Sequence, residues 1–125
     1  MNLLLDTHVL IWCFENSKRL KASVREAITD SDNNVFVSAV STWELTIKAA
    51  LGKISIPNDF EAQRKRCDFK SLSISIQHTL ALKDLPDHHR DPFDRLLVAQ
   101  ALAESLTLVT HNSTIWNYHV PVLRA

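Results

Sequence analysis

Short continuous apolar runs alternate with stretches of helical periodicity along the whole chain. Leu3-Leu4-Leu5 is ended by Asp6, and Val35-Phe36-Val37 is a second run. Leu72-Ser73-Ile74 is a weaker third, Leu106 to Thr110 a fourth, and Val120 to Leu123 a fifth. Runs that are apolar at every position, rather than at alternate ones, suit strands buried on both faces, as in a parallel sheet. Pro121 confines the fifth to a sheet edge or a strand start, because proline cannot donate to a ladder. Between the runs, Leu20, Val24, Ala27 and Ile28 recur at helical spacing, and Trp43, Ile47, Ala50 and Leu51 repeat it. Ser41-x-x-Glu44 reads as a capping box opening the second of these helices, and Gly52 as its left-handed stop. Asp91-Pro92 reads as an N-cap followed by proline at the first helical position. The body that follows, Phe93 to Ala103, is apolar nearly all round, which predicts burial on several sides. Strand–helix alternation throughout predicts a three-layer α/β/α sandwich with a mainly parallel central sheet, residues 1–125 forming a single domain.

Val9 to Phe14 is apolar without a break. A first helix of this kind must be covered on more than its sheet side, either by the core alone or by a second subunit or protein partner. Trp12, Trp43 and Trp116 read as core residues rather than as platforms for bases.

Composition narrows the function. The 125 residues carry 14 basic and 14 acidic side chains, so no global positive field is available to coat nucleic acid or membrane. Any polyanion site must be a local patch. A single glycine, Gly52, excludes the glycine-rich loops that cradle phosphates or dinucleotides. Cys13 and Cys67 are too few and too far apart for a zinc ribbon or a CxxC pair, and read as free core thiols in a reducing compartment. The start of the chain lacks the basic flank of a signal peptide, and no apolar stretch approaches the ~20 residues of a membrane span. A cytoplasmic protein is expected. The six histidines show neither HxxxH nor HExxH spacing, which weakens zinc catalysis.

In open α/β sheets, ligands bind beyond the carboxyl ends of the strands. Asp6 follows the first strand, Glu44 lies early in the helix after the second, and His111 and Asn112 follow the fourth. Asp91 and Asp94 open the late apolar helix and join the others only if its start points to the same edge. Carboxylates converging without thiols describe a hard, oxygen-preferring site for Mg²⁺ or Mn²⁺. With phosphate as a further ligand, the chemistry becomes metal-assisted phosphodiester hydrolysis. Each acid also has a plainer role. Asp6 and Asp91 can cap helices, Glu44 can pair with Lys48, and Asp94 suits a helix N-terminus.

Leu4-Leu5-Asp6-Thr7-His8, the block Ser38 to Glu44 continuing to Leu51-Gly52-Lys53, and His89-Arg90-Asp91-Pro92-Phe93-Asp94-Arg95 together resemble the PIN-domain nucleases. They are most similar to the VapC-type toxins of bacterial toxin–antitoxin pairs. The resemblance spans essentially the whole chain. It implies a Mg²⁺- or Mn²⁺-dependent endoribonuclease that homodimerises and is inhibited by a small cognate antitoxin. It assigns metal ligation to Asp6, Glu44 and Asp94, an assisting role to Asp91, and a supporting hydroxyl to Thr7. The family commonly carries an aspartate after the fourth strand, where this chain has Asn112. Asn112 can offer an amide oxygen to a metal, or cap the segment Thr114 to Tyr118, but supplies no charge. One firmly held ion is therefore expected.

His88, His89 and Arg90 are candidates to touch RNA phosphate, Arg90 by its bidentate fork. Arg64-Lys65-Arg66 with Lys70 forms either an RNA-facing patch or a solvated helix face. Hydrolysis by water through such a site leaves a 3′-hydroxyl and a 5′-phosphate. The alternatives are a catalytically weak RNA- and antitoxin-binding module silenced at Asn112, and, far below, a phosphoacceptor receiver domain. The receiver needs paired acids after its first strand, an aspartate after its third and a lysine after its fifth. This chain supplies only Asp6 among them.

Overall fold

A computed structural model describes residues 1–125. Five strands, β1 (Asn2–Leu5), β2 (Asn34–Ser38), β3 (Lys70–Leu72), β4 (Thr107–Thr110) and β5 (Val122–Arg124), form one sheet in the order β3-β2-β1-β4-β5. Every pairing is parallel. Six helices cover it: α1 (Thr7–Glu15), α2 (Ala22–Thr29), α3 (Ala39–Ala50), α4 (Phe60–Arg66), α5 (Ile76–Ala81) and α6 (Pro92–Glu104). The three-layer sandwich expected from the strand–helix alternation is the fold observed.

The central strand explains why its sequence is uniformly apolar. Leu3, Leu4 and Leu5 are all fully buried, and they feed two cores in alternation. Leu3 and Leu5 pack with Val9, Leu10, Val24, Ile28, Val35 and Val37 on one face. Leu4 packs with Val40, Leu96, Leu97, Val98, Leu108 and Ile115 on the other. A parallel strand sandwiched between helix layers has no solvent face on which to place a polar residue.

The order of the strands reverses at β1. β2 and β3 extend the sheet one way, and β4 and β5 the other. Leu5 lies in register with Val37 on one side and Val109 on the other. The carboxyl ends of β1 and β4 thus border the topological switch point, where the loops leaving the two strands diverge and open a crevice. α6 leads into β4, so it runs back against the sheet and its first turn stands at that same carboxyl edge.

Several local expectations need correction. The third strand is Lys70–Leu72, not Leu72–Ile74. It is a short, polar edge strand paired with Phe36–Ser38, and a charged edge carries little apolar signal. The fifth strand starts after Pro121, at Val122. Pro121 itself only offers its carbonyl to the Leu108 amide, at 2.9 Å. Ser41 does not open α3. Ser38 does, its hydroxyl accepting from the Val40 amide at 3.0 Å, while Ser41 is fully buried within the helix. An S-x-x-E spacing is indifferent to whether it falls at a terminus or one turn inside.

The helical stripe Trp43, Ile47 and Leu51 is largely exposed. The sheet side of α3 is Val40, Ser41, Glu44 and Leu45 instead. α3 has apolar residues on two faces, so periodicity alone does not say which one turns inward. Trp43 packs edge-on against Phe93 with ring centroids 4.8 Å apart and leaves about half its surface outside the core. Cys67 is exposed and Cys13 half-buried, so neither is a fully buried core thiol. Burial pushes the Cys13 thiol up to about 12, with the neighbouring Cys67 adding to the rise.

Gly52 performs the predicted stop. Its φ of 72° lies in the left-handed region, and the Lys53 and Gly52 amides donate to the carbonyls of Lys48 and Ala49, each at 3.0 Å. This is the paired-bond termination that glycine permits. Asp91 and Pro92 open α6 as expected. No helix is long and apolar enough to cross a membrane.

Leu4→Ala empties a fully buried position between the two layers, so it is expected to lower unfolding stability by about 2–5 kcal/mol. Leu51→Ala, at a mostly exposed position, should change it by less than about 0.5 kcal/mol. Urea unfolding of the two variants checks the contrast, and equal losses would contradict the assigned core.

Candidate metal centre

Asp6 leaves β1 and caps α1, and both jobs draw it into the crevice. Its Oδ1 accepts from the Val9 amide at 2.8 Å, and its own amide donates to the Val109 carbonyl at 3.0 Å. Its Oδ2 accepts from the Thr110 hydroxyl at 2.5 Å, joining the ends of β1 and β4. The residue is only 4% exposed. Burial pushes its carboxyl above the ordinary range. The hydrogen bonds from Thr110 and Val9 and the nearby His8 oppose that rise, and the Glu44 charge adds to it. An anion that has lost its water and still feels a second anion is a place where a cation is favoured.

Glu44 reaches the same edge from the second turn of α3. Its Oε1 accepts from the Thr7 hydroxyl at 2.7 Å, and that hydroxyl also lies 3.1 Å from Ser41 Oγ. Its Oε2 pairs with the Lys48 ammonium at 2.7 Å. The helix ion pair and the inward-facing acid are therefore one side chain using two oxygens. Thr7, next to Asp6, holds Glu44 beside it.

The start of α6 supplies the remaining acids. Asp91 caps the helix, its Oδ1 accepting from the Phe93 and Asp94 amides at 2.8 and 3.3 Å. Asp94 is half-buried, and its Oδ2 lies 2.7 Å from His89 Nε2 and 3.3 Å from Asn112 Nδ2. Burial pushes the Asp94 carboxyl up. The His89 contact opposes this, while the charges of Asp91 and Asp6 reinforce it. Asp94 therefore feels the charge of Asp6 across the crevice. A continuous path links them: Thr110 donates to Asp6, the Asn112 amide donates to Thr110 Oγ1 at 3.1 Å, and the Asn112 side chain donates to Asp94.

Asn112 departs from one expectation. Its Oδ1 accepts from the Thr114 amide at 3.0 Å, so its oxygen is turned away and its NH₂ faces Asp94. Flipping the amide would set two donors, Nδ2 and the Thr114 N–H, against each other. The capping role and the metal-facing oxygen are mutually exclusive here, and the cap is the one realised.

Arg90 is exposed between His89 and Asp91, with no side-chain partner. Arg64, Lys65 and Arg66 stand in the last turn of the short helix α4 that precedes β3. Arg64 pairs there with Glu61 at 2.8 Å and Arg66 with Asp59 at 3.3 Å. They form a surface ion-pair group rather than a track leading to the acids.

The residues fit a hard divalent ion. The donors are carboxylates and a hydroxyl, thiols are absent, and the nearest ammonium is the single Lys48 on Glu44. The tightest group is His89, Asp91 and Asp94, each offering a ligand atom within 4.8 Å of the others; Asp6 and Glu44 stand outside that group.

Sequence reasoning missed two supports. Thr110 could have been noticed as the hydroxyl that ends an otherwise apolar buried run. Gln100 is fully buried in the apolar body of α6, and Ser38 donates to its Oε1 at 2.5 Å. Gln100 Nε2 donates to the Ser73 carbonyl at 3.3 Å, and the neighbouring His78 Nε2 lies 2.8 Å from Glu104. This buried network fixes α6 against the end of β2. A lone polar residue inside an apolar helix was its only signal.

The raised carboxyl of Asp6 sets a pH dependence. A group whose folded pKa is raised stabilises the protein in its protonated form, and that stability is lost as pH rises through the folded value. In chelator, the stability of the wild type relative to Asp6→Asn is expected to fall as pH rises through that value. Thermal melts of both proteins between pH 4 and about 8 check this, and a constant difference would refute the burial effect.

The family profile described as the PIN domain matches residues 3–118. A comparison with curated protein sequences finds no match. Among solved structures, a chain of the VapBC2 complex from Rickettsia felis bound to a promoter DNA fragment is similar at a TM-score of 0.70. It has 16% identity, with 100% of this chain and 99% of that chain covered. A chain of VapBC-1 from nontypeable Haemophilus influenzae gives a TM-score of 0.61 and 20% identity, covering 99% and 98%. A chain of VapBC-5, a toxin–antitoxin complex from Mycobacterium tuberculosis, gives 0.62 and 19%, also covering 99% and 98%. At these identities the likeness establishes the fold. With acids from β1, α3 and α6 gathered at the switch point of an all-parallel sheet, and a profile match over nearly the whole chain, this protein belongs to the PIN-domain family.

Proposed function

We propose that this protein is a VapC-type toxin: a Mg²⁺- or Mn²⁺-dependent endoribonuclease, inhibited by a small cognate antitoxin. The observation that carries the reading is the buried Asp6 carboxylate, whose charge is felt by Asp94 and which feels that of Glu44 in turn. A phosphodiester brings further negative charge, so the acids would repel the substrate unless a cation stood between them.

Asp6, Glu44 and Asp94 would hold the ion directly or through water. When bound, it would supply the positive charge that binds phosphate, lowers the pKa of an attacking water and stabilises the leaving oxygen. The chain's own residues do the positioning. Thr110 fixes Asp6, Thr7 fixes Glu44, and Asp91 holds the first turn of α6 so that Asp94 faces the crevice. The second oxygen of Asp91 is free to hold the ion directly or through a water. Arg90, exposed at the rim, is available to a backbone phosphate of the RNA. Water attack at phosphorus would leave a 3′-hydroxyl and a 5′-phosphate.

The partner assignment draws on the similar structures, which are complexes of VapB and VapC type. Ile11 and Phe14 of α1 are only half-buried, and with Leu45, Ile54, Ile56 and Phe60 they line an apolar groove of about 370 Å³. An apolar antitoxin segment suits it. The exposed Trp43, Ile47 and Leu51 stripe is a face available to a homodimer. A cytoplasmic setting follows from the RNA substrate.

One observation favours the weaker reading, a PIN-like binding module with little activity. Asn112 presents NH₂ rather than a carboxylate, and Lys48 already occupies one oxygen of Glu44. Incubating purified protein with total RNA, with Mn²⁺ and then with chelator, separates the two. Metal-dependent cleavage is expected, and Asp6→Asn should reduce it by about 100-fold or more with the fold intact by circular dichroism. Undiminished cleavage by Asp6→Asn would refute the mechanism. Absence of cleavage in the wild type would favour the binding module.

A further inference from the structure

We propose that His89 is a ligand of the divalent ion through Nε2, in the place that Asn112 gives up, which makes the site selective for imidazole-preferring transition ions over Mg²⁺. This rests on the metal-centre reading above and concerns which ion the centre takes.

The first argument is what Asn112 cannot do. Its oxygen is committed to the Thr114 amide, and the nitrogen it turns toward Asp94 has no lone pair to donate. The β4 side of the crevice therefore lacks an anionic oxygen. The second is what stands beside that gap. His89 Nε2 lies 3.1 Å from Asn112 Nδ2 and 2.7 Å from Asp94 Oδ2, so an imidazole joins Asp94 against the amide. His89, Asp91 and Asp94 bring one ligand atom each to within 4.8 Å of one another. Bonds of about 2.1 Å set atoms on opposite sides of an ion about 4.2 Å apart, so the trio closes on one with a shift of roughly half an ångström.

The ring is also held and able to take the ligand form. Arg95 of α6 donates to the carbonyls of Pro86 and Leu85 at 3.0 and 3.4 Å and to the Tyr118 hydroxyl at 3.1 Å. This pins the loop that carries His89. Before an ion binds, His89 Nε2–H donates to Asp94. Because Nδ1 has no protein partner and the side chain is 20% exposed, an arriving cation can shift the ring proton to Nδ1 and free the Nε2 lone pair. Two carboxylates with one imidazole suit Mn²⁺, Co²⁺, Ni²⁺ or Zn²⁺. Mg²⁺ prefers an all-oxygen shell, and it loses the most where a charge is missing.

The test uses the purified full chain with the metals alone. Pulsed electron paramagnetic resonance of bound Mn²⁺ is expected to show coupling to a ¹⁴N nucleus, lost in His89→Gln. Calorimetry should show His89→Gln weakening Mn²⁺ and Ni²⁺ binding by about 10–100-fold while Mg²⁺ changes by less than about 3-fold. Asn112→Asp should strengthen Mg²⁺ binding. Circular dichroism of each variant confirms the fold, and the wild-type spectrum tests the inference even if a variant fails to fold. Mn²⁺ bound without nitrogen coupling, coupling that persists in His89→Gln, or equal affinity losses for all three ions would overturn the His89 assignment and leave the metal centre standing. A wild type that binds no divalent ion would overturn both.

Discussion

The contact on which the site depends is the hydrogen bond from Thr110 to Asp6, made at the one place where the sheet changes direction. β1 and β4 are neighbours whose outgoing segments must part, one into α1 and the other into the turn at Asn112. The crevice between them is a consequence of topology rather than of any side chain. Asp6 enters it because it ends a strand and caps a helix at once. It remains buried there because the strands on both sides are packed between helix layers. Thr7, the residue after Asp6, then holds Glu44, while the Asp91 cap of α6 places Asp94.

Electrostatics and packing pull against each other at this edge. Burial pushes the carboxyls of Asp6 and Asp94 upward, and their neighbours only partly compensate. The fold tolerates the arrangement through local hydrogen bonds: Val9 and Thr110 on Asp6, Thr7 on Glu44, His89 and Asn112 on Asp94. The surface of α4 is built differently: Arg64 pairs with Glu61 and Arg66 with Asp59. That contrast separates a site that favours a cation from an ordinary charged surface.

Much of this was legible beforehand. Leu3-Leu4-Leu5 announced a doubly covered strand, Asp91-Pro92 a helix start and Gly52 a helix stop, because each follows from chemistry within a few residues. Asp6, Glu44 and Asp94 were identifiable as acids of interest through strand and helix ends. The edge strand β3 was misplaced because its residues face solvent and carry no apolar pattern. Trp43, Ile47 and Leu51 gave a sound helical period but the wrong face, since periodicity fixes spacing and not which side meets the sheet.

The sequence by itself determined the alternation of strand and helix, the parallel sheet and the residue types available for chemistry, since these depend on local periodicity, caps and turn residues. Only the tertiary structure decided that α6 begins beside β1, that Thr110 and His89 touch the acids, and that Asn112 turns its NH₂ inward. Those facts join residues up to 104 positions apart. They depend on how one element docks against another, and no local pattern along the chain encodes that.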